Sequence, residues 1–404
     1  MKLVRLISTM WVAGSLSITS IAATGPVMAS EPDRTPVLSG VADPFYAQPQ
    51  SFDGRHPGEI LRSRSVTIQR LSQFSAYQVQ YVSANTVGAP QANVATILRP
   101  QRMSRPAKLV SFQPPIDTLS YDCDPSYRLR TGSEGDVGKI AALLSKGWVV
   151  VVPDFLGPDH EWVAGYVEAK GTLDGIRAAE NFTPAGLAGA ATPVGMIGYS
   201  GGARGTEFAN ELASTYAPEL NLVGAASGGL AVDVGEVLEH LNGGPAAGIA
   251  FAGFFGISRA YPAIGLDALL NQEGQQLRRT IGTQCIEQFA GGYPNKRIES
   301  FTVGGVNPWA LPRVRDIFAQ VAGGRYGKPK SPSYFYVGDK DELVVPENMH
   351  RLARAYCKEG DSVTYVVLQG DHRAADVAGF PGAVTWLDER FSRKGEAGSC
   401  STLS

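Results

Sequence analysis

Gly198-Tyr199-Ser200-Gly201-Gly202 follows a short apolar run, Val194 to Ile197, and precedes a helical run from Ala203 to Tyr216. The pattern is G-x-S-x-G between a strand and a helix, a context that turns a common pentapeptide into a candidate nucleophile elbow. On such a turn the serine hydroxyl is pushed clear of the backbone. Gly198 and Gly202 let strand and helix approach closely, because no Cβ stands between them. The helix N-terminus behind Ser200 offers backbone N–H groups and a positive dipole end to a developing oxyanion. The chemistry implied is attack of a hydroxyl on a carbonyl carbon. The alternative is a Gly-Ser turn with no chemistry, which the strand–turn–helix context disfavours.

A serine nucleophile needs a base, and the base an orienting acid. Where the elbow sits on an α/β sheet, the order along the chain is serine, acid, histidine. His56 and His160 precede Ser200 and fail on order. His240 falls in a helical stretch beside Glu239, and His350 inside the helical run Pro346 to Lys358. His372, in Gly370-Asp371-His372-Arg373, lies just after the strand-like run Ser362 to Leu368 and is the expected base. The loop Gly338-Asp339-Lys340-Asp341-Glu342 follows another strand-like run, Ser333 to Val337. Asp341 is the expected acid and Asp339 the alternative; the other aspartate then caps the turn or the helix. For the oxyanion, one donor is the N–H of Gly201, directly after the nucleophile. The second comes from the loop after the run Lys108 to Phe112. That loop has no His-Gly-Gly-Gly element, which leaves the N–H of Asp117.

These residues need a frame. Ser65–Arg70, Tyr77–Ser83, Asn93–Leu98 and Lys108–Phe112 read as strands, and the valine run Trp148–Val152 as a strand buried on both faces. Helical patterns fall at Val137–Leu144, closed by Lys146-Gly147, and at Thr172–Asn181. Val194–Ile197, the elbow helix and Leu222–Ala226 follow. After residue 330 come a strand, a helix, a strand and a helix, the last at Gly382–Phe391. Such alternation predicts an α/β fold, a mostly parallel central sheet covered by helices on both faces. Between Gly229 and about Pro329 the alternation stops, which reads as a helical cap inserted between two core strands. In that cap, Phe251 and Phe254 either face an acyl pocket over Ser200 or form the cap's own core.

Lys2 and Arg5, the apolar stretch Leu6–Ala23 and the small-x-small end Val27-Met28-Ala29 predict a cleaved signal peptide over residues 1–29. Six serines and threonines in the stretch, and Gly25-Pro26 after it, argue against a membrane anchor. The core then runs over 30–228 and 330–404, with the cap at 229–329. Residues 31–53, rich in Pro, Ser and Asp, are expected to lie over the surface. A hydrophobic content of 44% is ample for a large core. The net charge of −2, without a Lys/Arg cluster, gives no nucleic-acid footprint. The run Ala246–Ile257, with three glycines, is too short to span a bilayer. Cys123, Cys285, Cys357 and Cys400 form an even set in an exported chain, which suggests two disulfides among three possible pairings. Their spacings do not resemble a zinc site, and the expected chemistry needs no metal or cofactor.

Widely spread segments also carry a family likeness. They are Pro57-Gly58-Glu59-Ile60-Leu61-Arg62-Ser63-Arg64, Asp117 with Asp122-Cys123-Asp124-Pro125-Ser126-Tyr127, and Pro153-Asp154-Phe155-Leu156-Gly157. Further along come Leu173-Asp174-Gly175-Ile176-Arg177-Ala178, Gly198 to Ala203, Tyr216-Ala217-Pro218-Glu219-Leu220 and Leu241-Asn242-Gly243-Gly244-Pro245. Over residues 55–392 the chain resembles the secretory lipases of the α/β-hydrolase superfamily, the group that includes Candida-type lipase A. It departs from the family at Gln113-Pro114-Pro115 and Phe155-Leu156. The resemblance implies a lipase or carboxylic ester hydrolase acting on a lipid or small ester, with Ser200, Asp341 and His372 as triad. It implies Asp117 and Gly201 as oxyanion donors, and pairing of Cys123 with Cys285 and Cys357 with Cys400. A feruloyl-type esterase or a peptidase on the same fold is the second reading, and a catalytically silent binding module the third. The sequence leaves oligomeric state and the choice between periplasm and exterior open.

Overall fold

In this computed structural model the described residues are 43–393 and 398–403. The expected signal peptide, residues 1–29, lies outside them. Nine strands form one sheet: β1 Ile60–Val66, β2 Ser75–Ala84, β3 Pro90–Arg99, β4 Leu109–Gln113, β5 Val149–Pro153, β6 Pro193–Tyr199, β7 Asn221–Gly228, β8 Ser333–Gly338 and β9 Val363–Leu368. Their spatial order is β1-β2-β3-β5-β4-β6-β7-β8-β9. β1, β2 and β3 run as an antiparallel meander, and β3 joins β5 antiparallel. From β5 to β9 every neighbour is parallel.

Among the described residues twelve α-helices accompany the strands. In the first part of the chain these are α1 Pro125–Thr131, α2 Val137–Ser145, α3 Tyr166–Asn181 and α4 Gly201–Tyr216. Between β7 and β8 come α5 Val234–Leu241, α6 Ala247–Ala260, α7 Leu266–Leu269, α8 Gln272–Ile281, α9 Ile286–Phe289 and α10 Pro312–Gln320. The chain ends on α11 Pro346–Lys358 and α12 His372–Phe391.

The valine run of β5 shows why the sheet must be covered twice. Successive strand side chains point to opposite faces. Val149 and Val151 join a core with Ile176 of α3, Phe208 of α4 and Met349 of α11. Val150 and Val152 join the opposite core with Ile140 of α2 and Leu387 of α12. A third apolar cluster belongs to the helices between β7 and β8, and it recruits Ile116, Phe155 and Trp162 from the loops after β4 and β5. The two disulfides are Cys123–Cys285 and Cys357–Cys400. The first ties the loop after β4 to the N-terminus of α9.

Three local expectations change. The first strand is Ile60–Val66, and Gln69–Leu71 is a short 3-10 turn. As an edge strand of mostly half-exposed Arg and Ser, β1 carries little hydrophobic signal. Phe45 and Tyr46 are not surface residues: they pack on Val94 and Tyr121, with the Arg64 guanidinium 4.1 Å from the Phe45 ring centre. The last helix begins at His372 and runs through Pro381. A mid-helix proline normally marks a break, but Ala375, Phe380, Ala383 and Leu387 dock on the sheet on both sides of it.

Cys123 and Cys285 are 162 residues apart. Closing so long a loop restricts the unfolded chain strongly, by about 5 kcal/mol on a chain-entropy account. Replacing both cysteines by serine is expected to lower unfolding stability by about 3–5 kcal/mol, read from the urea midpoint; an unmoved midpoint would contradict it.

Candidate active site

Ser200 stands between the end of β6 and the start of α4 at φ 55° and ψ −122°. Positive φ is costly for a residue with a Cβ and persists only where the surroundings over-determine it. Here they do. The Ser200 N–H donates to Gly228 O at 2.8 Å, and its carbonyl accepts from Ala203 N at 3.0 Å. A Cβ at Gly198 would overlap the Gly202 carbonyl, and one at Gly202 the carbonyl of Gln113 in β4. The glycines let β4, β6 and α4 converge under the serine.

Asp341 and His372 meet across the ends of β8 and β9. The Nδ1 of His372 lies 2.7 Å from Asp341 Oδ2, and both side chains are buried. Asp341 Oδ1 accepts from Leu343 N at 3.1 Å and Val344 N at 3.0 Å, so the acid loop wraps around its own carboxylate. Asp339 points elsewhere and accepts from Gly370 N at 2.8 Å, closing the turn beneath the histidine. His372 is the first residue of α12, after the cap Asp371, which accepts from Ala374 N. The orphan His372 N–H is taken by Glu342 Oε2 at 3.0 Å, and the His372 carbonyl accepts from the Tyr199 hydroxyl at 2.6 Å. Tyr199 is therefore more than the variable residue of the elbow, and Glu342 is a contact the sequence did not reveal. Gly229, which follows the strand that binds Ser200, packs against the imidazole Cε1. The Ser200 hydroxyl makes no hydrogen bond among the described residues; such links are often long until substrate binds.

Asp117 lies beside Gly201, so close that a Cβ on Gly201 would overlap its carboxylate. Neither backbone N–H donates to another group among the described residues. Burial drives the Asp117 carboxyl up to about 7, against the nearby His372 charge. Both residues line a cavity with Ser200. Its other walls are apolar: Val234, Val237 and Leu241 from α5, Ile249 and Gly253 from α6, and Ile286 from α9. Arg204, one turn into α4, reaches the same cavity and is fully buried in an ion pair with Glu168, 3.1 Å apart. A separate groove between α5 and α10 holds none of these candidates.

Phe251 and Phe254 are fully buried but do not line the cavity. Phe251 packs on Tyr293 and Phe301, and Phe254 on Trp309. They belong to the core of the helical segment, while Ile249 and Gly253 on the neighbouring face of α6 meet the cavity. Of the other histidines, His160 Nε2 sits 3.0 Å from Asp124, His240 Nε2 3.0 Å from Glu342 O, and His350 lies against the Tyr365 ring. No group of three His, Cys, Asp or Glu side chains among the described residues is arranged to hold a metal ion. No single described helix is long and apolar enough to cross a membrane.

A mostly parallel sheet with helices on both faces and a strained serine between strand and helix defines an α/β hydrolase. The crystal structure of Candida antarctica lipase A in its closed state has the same fold, matching at TM-score 0.82 and 31% identity over 88% of this chain and 87% of that one. Residues 130–398 match the secretory lipase family. Lipase A of Moesziomyces aphidis is 32% identical over 93% of this chain and 87% of its own length. A protein of Mycobacterium tuberculosis described as a probable inactive lipase is 31% identical over 87% of this chain and 82% of its own. The chain belongs to the secretory lipase family, and its activity class is that of a serine ester hydrolase.

Because Phe254 fills a core rather than the cavity, Phe254→Ala is expected to cost about 3–5 kcal/mol of stability while the acyl chain-length profile stays as in the parent. Thermal unfolding and a chain-length series on one preparation decide it; a shifted profile at unchanged stability would return Phe254 to the pocket.

Proposed function

We propose that this protein is an exported lipase that hydrolyses carboxylic esters of apolar acyl groups through an acyl-enzyme on Ser200. The observation that carries the reading is the buried Asp341–His372 contact at the strand ends beside the strained Ser200. Membership of the family does not by itself decide turnover, since one relative is described as a probable inactive lipase; these side chains favour it.

In this mechanism His372 takes the Ser200 proton as the hydroxyl attacks the ester carbonyl. Asp341 holds the imidazole in one tautomer and stabilises its cationic form. The N–H groups of Gly201 and Asp117 receive the oxyanion. The departing alkoxide takes the proton from His372. Water, deprotonated by the same imidazole, then attacks the acyl-enzyme and releases the acid. The segment 229–329 acts as a cap whose α5 and α6 faces enclose the acyl chain, and the apolar lining supports lipid esters, including triacylglycerols, over peptides. Residues 1–29 serve as the signal peptide for export, in keeping with two disulfides.

Ser200→Ala is expected to remove ester hydrolysis by about 10³-fold or more, because triad members act as a unit. Asp341→Asn is expected to lose far more activity than Asp339→Asn, measured as kcat/KM on a 4-nitrophenyl ester. Near-parent activity of Ser200→Ala, or the reverse ranking of the aspartates, would overturn the assignments.

Asp117 sets a pH limit. Burial pushes its carboxyl up to about 7, so below that pH it is held neutral. Above that pH an anion stands beside Gly201, where the oxyanion must form, so kcat/KM should fall as pH rises through about 7. Asp117→Asn keeps the backbone donor and should flatten this alkaline limb. A limb that persists in the variant would assign it to another group.

A further inference from the structure

Trp162 lines the cavity beside Asp117 and Ser200 and is only 4% exposed. Its indole N–H faces the Asp117 carboxyl without closing a hydrogen bond to it, and it has no other partner. A buried donor left unpaired is expensive, so native proteins seldom keep one without use. Trp309 and Tyr326 also hold unpaired polar atoms, but neither reaches this cavity.

The backbone that presents Trp162 is unusual. His160 before it has φ 45° and Val163 after it φ 57°. Positive φ at a β-branched residue is a genuine outlier. Buried polar side chains hold the chain in this shape on both sides. Asp124 binds His160 Nε2 at 3.0 Å, while Glu168 accepts from Val163 N at 3.1 Å and Arg204 donates to Val163 O at 3.1 Å. Strain maintained by so many buried contacts points to a side chain whose direction matters. The direction here is toward the carbonyl end of the acyl cavity, since the indole N–H lies by Asp117, which lines the cavity with Ser200.

We propose that Trp162 is a specificity-determining residue whose indole N–H donates to an acceptor oxygen on the acyl chain near the ester carbonyl. The favoured substrates are then esters of oxygen-bearing acyl groups, such as alkoxy, oxo or hydroxy acids, over plain alkyl chains of equal length. An indole can only donate, so an ether oxygen, which can only accept, is the cleanest probe. This rests on Ser200 being the nucleophile of an ester hydrolase.

The test uses 4-nitrophenyl esters in isosteric pairs: methoxyacetate against butanoate, and 3-methoxypropanoate against pentanoate. Each kcat/KM is divided by the ester's hydroxide-catalysed rate, which removes intrinsic reactivity. In the parent enzyme at least one ether ester should exceed its alkyl partner by about five- to tenfold, the worth of one neutral hydrogen bond. In Trp162→Phe, which keeps most of the ring but not the N–H, that ratio should collapse toward one. Ratios cancel the fraction of folded protein, and the parent ratio needs no variant at all. Parent ratios near one for both pairs, or an unchanged ratio in Trp162→Phe, would assign the N–H to the Asp117 carboxyl alone and overturn the proposal. Turnover of neither ester in any pair would instead overturn the hydrolase reading, and this proposal with it.

Discussion

The crowding beneath Ser200 is the constraint from which the rest of the site follows. Three backbones meet there within a space that admits no Cβ at Gly198 or Gly202. Any substitution at either glycine must push β4, β6 or α4 apart, and the serine would then relax from positive φ. The same convergence places Gly201 against Asp117, so the two expected oxyanion donors are set by the packing that strains Ser200. Strain of this kind is sustained because the surrounding sheet has no alternative arrangement at similar cost.

The histidine side is organised by backbone contacts more than by side-chain packing. His372 is held at three points: its ring nitrogen by Asp341, its N–H by Glu342 and its carbonyl by Tyr199. Tyr199 belongs to the elbow, so the turn that carries the serine also anchors the start of α12. Placing His372 at the first position of a helix fixes its backbone while leaving the ring at the sheet's edge. Glu342 meets an unpaired helix N–H there, an arrangement favoured at any helix N-terminus.

The elbow, the acid loop and His372 were readable because each follows a strand and announces itself locally, by glycines or by position. The sheet's edge singles out the acid loop but not which of its two aspartates meets the histidine; the structure brings Asp341 to His372, while Asp339 accepts from Gly370 N. Other parts were not readable because their signals are long-range. Phe45 and Tyr46 sit in a stretch of turn-forming residues, and only contact with Val94 and Tyr121 reveals their burial. The Arg204–Glu168 pair joins two helices that look individually polar. Some motif residues turned out to bind one another: Asp154 accepts from Ser126, and Asp174 pairs with Arg177, which reaches Glu219. These acids and bases knit α1, α3 and the end of α4 to the sheet, which is a structural use of conspicuous charges. For Phe251 and Phe254 the spacing was compatible with two faces of α6, and only the neighbouring aromatic rings decide between them.

The order of pieces along the chain has a consequence for biogenesis. β7 must pair with β8 across more than a hundred intervening residues that build six helices of their own. Pairings of such sequence separation form late, because the loop must close before the contact rewards it. The Ser200 segment therefore emerges well before Asp341 and His372, which follow β8 and β9. A chain caught partway through synthesis or transport holds the serine without its partners. On the proposed roles of Ser200, Asp341 and His372, competence to cleave esters arrives only with the last quarter of the polypeptide.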